Sequence, residues 1–155
     1  MKFRRMVSIA CPVADVFAFM KDFENHPQEK DSKVLLVEKI SEPSVGVGTR
    51  YREKVQILPM LPMNFLSEIT QFKPDEVIAY NWTGGGMQGN LCISFAPFNN
   101  GTMLTVDEQI KPRGVMKILS PIIGAAFRQT WTKRLQAIEE FLERKAEEST
   151  WDMTA

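Results

Sequence analysis

The feature that most constrains this chain is a change of hydrophobic period near residue 112. Before that point, short segments with apolar residues at every second position are separated by turn residues, which is typical of strands. After it, apolar residues recur at every third or fourth position over 120–146, with charged residues such as Arg134 on the opposite side. No helical pattern separates the later strand segments, so they are expected to pair antiparallel. The chain is therefore predicted to be an α+β domain with one sheet and one long C-terminal helix.

Seven strands are predicted along the chain. The first covers 2–10, and two short helices follow it, one over 12–20 and one after the break that Pro27 causes. The other six strands are predicted over 32–40, 48–58, 63–72, 77–82, 87–96 and 102–110. Because strands twist, an antiparallel sheet of this size curves, and the C-terminal helix is long enough to cross its concave face.

Composition indicates one ordinary globular core. Of the 155 residues, 44% are hydrophobic and 25% are charged. We predict a single ligand-binding domain over 1–148 and a flexible tail over 149–155, where the helical pattern stops. Lys plus Arg and Asp plus Glu both total 19, so no bulk positive charge favours binding of nucleic acid.

Cofactors and membrane segments are not expected either. Cys11 and Cys92 lack the spacing of a metal site and the density of a disulfide scaffold, and His26 is the only histidine. Neither a metal nor another cofactor is therefore predicted. The N-terminus reads as a strand rather than a signal peptide, and no segment reaches the roughly 18 apolar residues of a spanning helix. A cytoplasmic location without an integral membrane segment is expected.

A curved sheet and a straight helix cannot stay in contact along their whole length, so a gap between them is expected. Residues of one parity on the strands, together with one stripe near the C-terminal helix, are predicted to face this gap. If the gap stays open, these side chains form an apolar pocket for a small hydrophobic molecule. The predicted pocket residues are Tyr51, Val55, Ile57, Leu91, Ile93, Phe95, Leu104, Val106, Met116, Leu119, Ile123, Phe127 and Trp131.

The segment 58–63 (LPMLPM) is unusual because the tips of hairpins are normally polar. It can fold back onto the core, which needs no function. It can also form a lid at the mouth of the pocket, where the thioethers of Met60 and Met63 adapt to ligands of different shape. Contact with a protein partner or a membrane is the third interpretation.

Glu53 and Glu108 share the strand parity of their apolar neighbours and are therefore predicted to point inward. A buried, unpaired carboxyl group has a raised pKa and exchanges a proton near neutrality, which suits general acid–base catalysis on a carbonyl compound. The structural alternative is that each carboxylate lies near a strand end, either solvated or paired with Arg5, Arg50 or Arg52.

His26 and Tyr51 are the remaining candidates for catalysis. A catalytic histidine needs a hydrogen-bond partner, and Asp22, Glu24 and Asp31 are close to His26 in sequence. No serine or cysteine nucleophile pattern accompanies them, so a surface or capping histidine is the competing interpretation. Tyr51 is included because it faces the predicted pocket.

Five segments of the chain carry a likeness to a known group of proteins. They are residues 6–17, 22–27, 46–51, 69–74 and 101–105, which read MVSIACPVADVF, DFENHP, GVGTRY, ITQFKP and GTMLT. Through them the chain resembles the SRPBCC superfamily, the helix-grip proteins that include START lipid-transfer domains, the birch-pollen allergen family and bacterial polyketide cyclase/dehydrase-like proteins. The resemblance extends to about Glu143 and implies a helix-grip fold.

The resemblance implies fold more than function, because the same fold hosts carriers, hormone receptors and cyclases. The first hypothesis is a non-catalytic carrier or sensor that binds a lipid, quinone, isoprenoid or polyketide-like molecule. The second is a cyclase or dehydratase that uses Glu53, Glu108 or Tyr51 on a hydrophobic carbonyl substrate. The third is an interaction module that acts through the 58–63 segment on a protein or membrane partner.

Overall fold

The strand segments all join one antiparallel sheet in the computed structural model, which describes residues 1–28 and 33–154. Their order across the sheet is β1-β7-β6-β5-β4-β3-β2, so β2 to β7 form a meander whose last strand also pairs with β1. Because neighbours along the chain are neighbours in the sheet, short turns are sufficient to connect them. The strands are β1 (Lys2–Ile9), β2 (Val34–Lys39), β3 (Arg50–Leu58), β4 (Leu61–Lys73), β5 (Val77–Gly84), β6 (Met87–Phe98) and β7 (Gly101–Pro112).

The helices lie before the first strand of the meander, β2, and after its last strand, β7. Helix α1 (Val13–Met20) and a 3₁₀ helix (Phe23–Gln28) connect β1 to β2, and a second 3₁₀ helix (Gly114–Lys117) leads from β7 into α2 (Ser120–Thr154). The curved sheet wraps around α2, which contacts β1 and β3. Within residues 1–28 and 33–154, no helix is both long and apolar enough to span a membrane.

Burial confirms the predicted inward parity of the strands. Most positions that alternate inward on β3, β6 and β7 are buried, and so is the apolar stripe of α2. Ile57, near the end of β3, is half-buried. One face of the sheet therefore meets one face of the helix, which is how an α+β core forms from these two periods. The buried residues concerned are Tyr51, Glu53, Val55, Leu91, Ile93, Phe95, Leu104, Val106, Glu108, Ile123, Phe127, Trp131, Leu135, Ile138 and Leu142.

Most strand boundaries lie within two residues of the prediction, and the second short helix includes Pro27 rather than following it. Helix α2 continues to Thr154, so residues 149–154 are helical where the sequence predicts a tail. An exposed helix needs no apolar stripe to propagate once it is nucleated, and the Thr150 hydroxyl donates to the carbonyl of Ala146 at 3.0 Å. Strand β2 begins at Val34. The predicted start of this strand and Asp31 fall within residues 29–32, which lie outside the described residues, as does Ala155.

The apolar segment 58–63 is a tight hairpin rather than a loop. Strand β3 extends to Leu58 and β4 begins at Leu61, so only Pro59 and Met60 form the turn. Met60 adopts a φ of 59°, which such a turn requires. Met63 is buried, whereas Met60 is 93% exposed and Leu61 is 51% exposed. Folding back onto the core thus holds for Met63 and not for the tip.

Candidate functional site

A cavity of about 70 Å³ lies between the concave face of the sheet and α2. Strands β3 to β7 form its floor, α2 forms its roof, and Phe23 of the first 3₁₀ helix closes one side. This is where the sequence predicts a gap. The residues that line the cavity are Phe23, Lys33, Glu53, Val55, Ile57, Phe65, Ser67, Tyr80, Trp82, Leu91, Glu108, Phe127, Thr130, Trp131 and Arg134.

Aromatic rings make up much of the wall. The Trp82 indole stacks on the Phe127 ring with 5.8 Å between their centroids, and the edge of Phe65 meets Trp82 at 5.3 Å. On the other side, Phe23 stacks on Tyr80 at 4.3 Å. Such rings offer large, rigid, apolar surfaces to a guest molecule.

Gly89 on β6 makes room for the Trp82 indole. The two residues are direct partners across β5 and β6. A Cβ atom at position 89 would lie 2.4 Å from the indole ring and 2.6 Å from the carbonyl oxygen of Gln109. Only glycine therefore lets the indole lie flat across β6 and point its N–H toward β7.

Glu108 on β7 is the most strongly perturbed carboxyl group of the cavity. It is buried, and it accepts hydrogen bonds from the indole N–H of Trp82 at 3.0 Å and of Trp131 at 2.6 Å. Burial raises the pKa of Glu108 to about 7, although the two indole donors and the nearby guanidinium of Arg134 favour the ionised form. At neutral pH this carboxyl group can therefore both give and accept a proton.

Glu53 on β3 is the second buried carboxyl group. The Ser67 hydroxyl, on the adjacent strand β4, donates to its Oε1 at 2.6 Å. Burial raises the pKa of Glu53, and the Ser67 hydrogen bond and the charge of Arg134 oppose that rise. Because both candidate carboxyl groups are buried, the alternative of solvated strand ends is wrong for each of them.

Two of the three arginines proposed as structural partners, Arg5 and Arg52, contact other groups. Arg52 pairs with Glu38 at 3.3 Å on the outer face of the sheet. Arg5 donates to the hydroxyl of Thr132 at 3.0 Å and to the carbonyl of Arg4 at 2.9 Å. The basic residue near both carboxyl groups is Arg134, which was predicted to lie on the outer side of the helix.

Arg134 of α2 supplies positive charge to the cavity. Its guanidinium lies 4.8 Å from the centroid of the Trp131 ring, and its Nη2 donates to Nδ1 of His26. Its positive charge opposes the rise that burial causes in the pKa of both carboxyl groups. The prediction that Arg134 lies on the outer side of the helix is wrong. Phe127, Trp131 and Arg134 are spaced by four and three residues, which places them on one stripe, and this spacing was the available signal.

His26 is fully buried, so the interpretation as a surface histidine is wrong. It packs against Phe23, with 4.7 Å between ring centroids. Burial and the adjacent Arg134 charge keep its pKa well below the usual value. The ring is therefore neutral, and because Nδ1 accepts from Arg134, the proton is on Nε2. His26 does not line the cavity, and it acts on the site through Arg134.

Tyr80, and not the predicted Tyr51, is the tyrosine that lines the cavity. Tyr51, a predicted pocket residue, is buried outside the cavity, and its hydroxyl donates to Asp22 at 3.2 Å. Burial and that carboxylate raise its pKa. Tyr80 lines the cavity, and its hydroxyl has no hydrogen-bond partner within the described part of the chain. The alternation of Ile78, Tyr80 and Trp82 on β5 was the signal for this second group.

The other predicted pocket residues divide into three groups. Val55, Ile57, Leu91, Phe127 and Trp131 line the cavity. A second group is buried where the sheet and the helices are in direct contact, and it comprises Met63, Ile93, Phe95, Leu104, Val106 and Ile123. Phe95, for example, meets the Phe17 ring of α1 at 5.2 Å. Met116 is half-buried and packs near Gly86, while Met60 and Leu119 are exposed, since the hairpin tip and the approach to α2 both project beyond the core.

The cavity adjoins an open groove of about 710 Å³ between the β3–β4 hairpin and the first half of α2. Lys33, Ile57 and Thr130 line both spaces, so they mark the passage between them. Pro59 lies on the hairpin side of the groove and Ile122 on the helix side. The interior and the groove are therefore neighbours at this end of the protein.

The arrangement offers binding and proton transfer rather than metal chemistry. Among residues 1–28 and 33–154, no group of three His, Cys, Asp or Glu side chains is placed to hold a metal ion. The polar groups that line the cavity include two carboxyl groups with raised pKa values, the guanidinium of Arg134, the phenol of Tyr80, the ammonium of Lys33 and the hydroxyls of Ser67 and Thr130. All lie among aromatic and aliphatic walls, where each polar contact is strengthened by the low dielectric.

The fold and the cavity together define a helix-grip protein, and the predicted resemblance to the SRPBCC superfamily is confirmed. The chain belongs to the family described as polyketide cyclase/dehydrase and lipid transport, whose model matches residues 1–148. Membership of this family supports a ligand-binding or cyclase role. A search of the curated proteins found no match.

Solved structures share the fold at low sequence identity. TTHA0849 from Thermus thermophilus has a TM-score of 0.77 at 18% identity, over 92% of this chain and 97% of that chain. The ZhuI aromatase/cyclase from Streptomyces sp. R1128 has a TM-score of 0.77 at 17% identity, over 94% and 95%. Ara h 8.0201 has a TM-score of 0.68 at 15% identity, over 92% and 97%.

Proposed function

We propose that this protein binds a small hydrophobic ligand that inserts a polar end into the cavity between the sheet and α2. One observation carries the proposal: an aromatic-walled cavity contains a buried Tyr80 hydroxyl without a partner in the described part of the chain and adjoins an open groove of mixed apolar and polar lining. A buried hydroxyl that makes no hydrogen bond costs free energy, and a ligand oxygen beside it removes that cost.

The volumes of the cavity and of the groove limit the sizes of the two parts of the ligand. Drug-sized ligands occupy pockets of roughly 300–1,000 Å³. The interior, at about 70 Å³, takes only a small polar head, whereas the groove, at about 710 Å³, takes a larger apolar part. Lipids, quinones, isoprenoids and polyketide-like molecules all combine such parts. Burial of their apolar surface contributes about 25 cal/mol per Å², so affinity depends mainly on the groove and the cavity walls.

Native mass spectrometry of the purified protein, followed by solvent extraction, tests this function directly. We expect a reproducible apolar compound to travel with the folded protein and to be released on denaturation. The protein stripped of this compound should bind N-phenyl-1-naphthylamine, whose fluorescence rises in an apolar site. Absence of both a co-purified compound and probe binding would contradict the proposal.

Thr130→Phe is expected to weaken binding of N-phenyl-1-naphthylamine by about tenfold or more, because a bulky ring at this position narrows the passage between groove and cavity. The measurement is a fluorescence titration. Thr132→Phe is the matched control, since Thr132 is exposed on the same helix two residues away. Equal affinities of the two variants would show that the probe does not use this passage.

A second function, general acid–base catalysis, is favoured by the pKa of Glu108, which burial places at about 7 inside an aromatic cavity. A carboxylate in such a site can remove a proton from carbon in a bound carbonyl compound, as cyclisation or dehydration requires. Arg134, and Glu53 when it is protonated, would then stabilise the negative charge that develops on the substrate oxygen. The carrier and the enzyme differ in whether the ligand leaves unchanged.

The compound 5-nitrobenzisoxazole reports a base of this kind. Ionised Glu108 would take its ring C–H proton while the N–O bond breaks, which releases a coloured cyanophenolate. We expect turnover to rise with pH around 7, because only the ionised form is a base, and Glu108→Gln to abolish it. Glu140→Gln, at an exposed site on α2, serves as the control. Turnover that is the same in both variants would contradict catalysis by Glu108.

A further inference from the structure

One end of the molecule carries a group of exposed, large apolar side chains. Met60 and Leu61 at the β3–β4 hairpin are 93% and 51% exposed. Val115, Ile118 and Ile122, around the start of α2, are 68%, 80% and 63% exposed. Single exposed apolar residues are ordinary, but a contiguous group of them marks an interaction surface.

The register of the sheet places these segments at the same end. Phe65 pairs with Gly84, Gly84 with Met87, and Met87 with Pro112. The tip of the β3–β4 hairpin therefore lies beyond the same margin of the sheet at which β7 ends and the second 3₁₀ helix begins. The hairpin and the start of α2 also line opposite sides of the open groove. We call this surface, with its five exposed apolar residues, the apolar end.

Among the described residues, the charges around the apolar end are positive. Residues 54–67 and 109–138 contain no Asp or Glu. Lys111 near the end of β7 and Arg113 and Lys117 after it are exposed, and Lys33 and Lys133 line the groove. The chain as a whole has a net charge of zero, so this asymmetry is local.

The acidic side chains of α2 lie at the opposite end. Six of them fall between Glu139 and Asp152. A Glu143 carboxylate oxygen accepts a hydrogen bond from the backbone N–H of Ala10, which follows β1, at 2.8 Å, and this contact fixes the second half of the helix near α1. The molecule is thus polarised along α2, with apolar and cationic groups together at the groove.

We propose that the apolar end docks on a lipid bilayer that contains anionic headgroups. Apolar side chains that project beyond a ring of lysine and arginine are suited to the bilayer interface, where the apolar groups enter the acyl region and the cations meet phosphates. Docking in this orientation turns the mouth of the groove toward the lipid. The inference goes beyond ligand binding, because it does not require the cavity to be occupied.

Sedimentation with unilamellar vesicles tests the docking. One set of vesicles contains phosphatidylcholine alone, and the other contains phosphatidylcholine with phosphatidylglycerol. We expect the protein to pellet with the anionic vesicles, more weakly with the neutral ones, and less as salt screens the charges. Lys117→Glu should weaken binding by about tenfold or more, since each basic residue near an anionic surface contributes about fivefold. Lys145→Glu, exposed near the opposite end, should not.

Two leucines of β4 form a closely matched pair of positions for testing how much an apolar side chain contributes to vesicle binding. Leu61 is 51% exposed at the hairpin tip, and Leu66 is 49% exposed on the outer face of the sheet. Leu61→Asp should reduce vesicle binding by about tenfold or more, because it removes an inserted apolar group and adds a repelled charge. Leu66→Asp should leave binding unchanged. Both positions are exposed, so neither change is expected to impair folding.

Three results would overturn the inference. They are absence of sedimentation with either vesicle, equal binding by Leu61→Asp and Leu66→Asp, and a lipid-free dimer that Leu61→Asp dissociates in analytical ultracentrifugation. The third result would assign the surface to a second copy of the chain. Binding of N-phenyl-1-naphthylamine in solution should persist in Leu61→Asp, so failure of docking is distinguishable from failure of ligand binding.

Discussion

Glu108→Gln is expected to remove about 3 kcal/mol of pH dependence from the free energy of unfolding between pH 4.5 and pH 7. The pKa of Glu108 is raised in the folded protein, so over this range the folded state keeps a proton that the unfolded state has released. Stability that this group contributes is therefore full below pH 4.5 and is lost as pH rises toward 7. Gln does not titrate and shows no such loss.

Urea denaturation of both proteins at several pH values measures this difference. His26 also contributes to the pH dependence, in the opposite direction: burial lowers its folded-state pKa, so its contribution is lost as pH falls. It is present in both proteins and largely cancels in the comparison. Glu140→Gln controls for the loss of a carboxylate on the surface. Parallel pH profiles of Glu108→Gln and the unchanged protein would contradict a raised pKa.

The plots of unfolding free energy against pH for Glu108→Gln and for the unchanged protein should also cross. The Gln carbonyl oxygen can replace the carboxylate toward one indole, but the Gln amide is a donor and cannot accept from the other. One of Trp82 and Trp131 then loses its partner, at about 1–3 kcal/mol that does not depend on pH. Glu108→Gln is therefore expected to be the less stable protein at acid pH and to lose that disadvantage above pH 7.

Phe127→Ala is expected to lower the free energy of unfolding by about 3–5 kcal/mol. Phe127 is 5% exposed and stacks on Trp82 at 5.8 Å, so truncation removes buried apolar contact and enlarges an existing cavity. The walls cannot collapse fully, since the sheet holds Trp82 over Gly89. Chemical denaturation at a fixed pH gives the magnitude.

Phe98→Ala is the matched control, because Phe98 is 43% exposed at the end of β6. This substitution should lower the free energy of unfolding by less than about 1 kcal/mol. A small apolar compound adds a further test. Benzene should raise the melting temperature of Phe127→Ala more than that of the unchanged protein, because the truncation leaves ring-sized space beside the Trp82 indole. A loss of stability no larger than that of Phe98→Ala, or the absence of any such rescue, would show that Phe127 does not form a wall of this cavity.

Much of the architecture was predictable because periodicity reports which faces are buried. The alternation along β3, β6 and β7 placed Glu53 and Glu108 on the inner face, and burial confirms both positions. Turn residues located the hairpins to within a few residues. The predicted tail over 149–154 is wrong, because the helix continues into sequence that lacks an apolar stripe, and β4 begins two residues before its predicted start.

The candidate site was less predictable, because its polar contacts join residues that are distant in the chain. Arg134 meets His26 across more than one hundred residues, and Glu108 meets Trp82 from a strand two positions away in the sheet. The first contact depends on where α2 lies along the sheet, and the second depends on the pairing register of β5, β6 and β7. Hydrophobic period reports neither of these.

The amino-acid sequence by itself determined the order of elements, the inner and outer faces, and the presence of apolar surface where sheet and helix separate. Those follow from local period and turn chemistry, which each short segment carries alone. Only the tertiary structure decided which inward residues line a cavity, which are packed solid, and that Tyr80 is left without a partner among the described residues. The reason is that open space and unmet hydrogen bonds are properties of several elements in contact, and they depend on the distances between those elements.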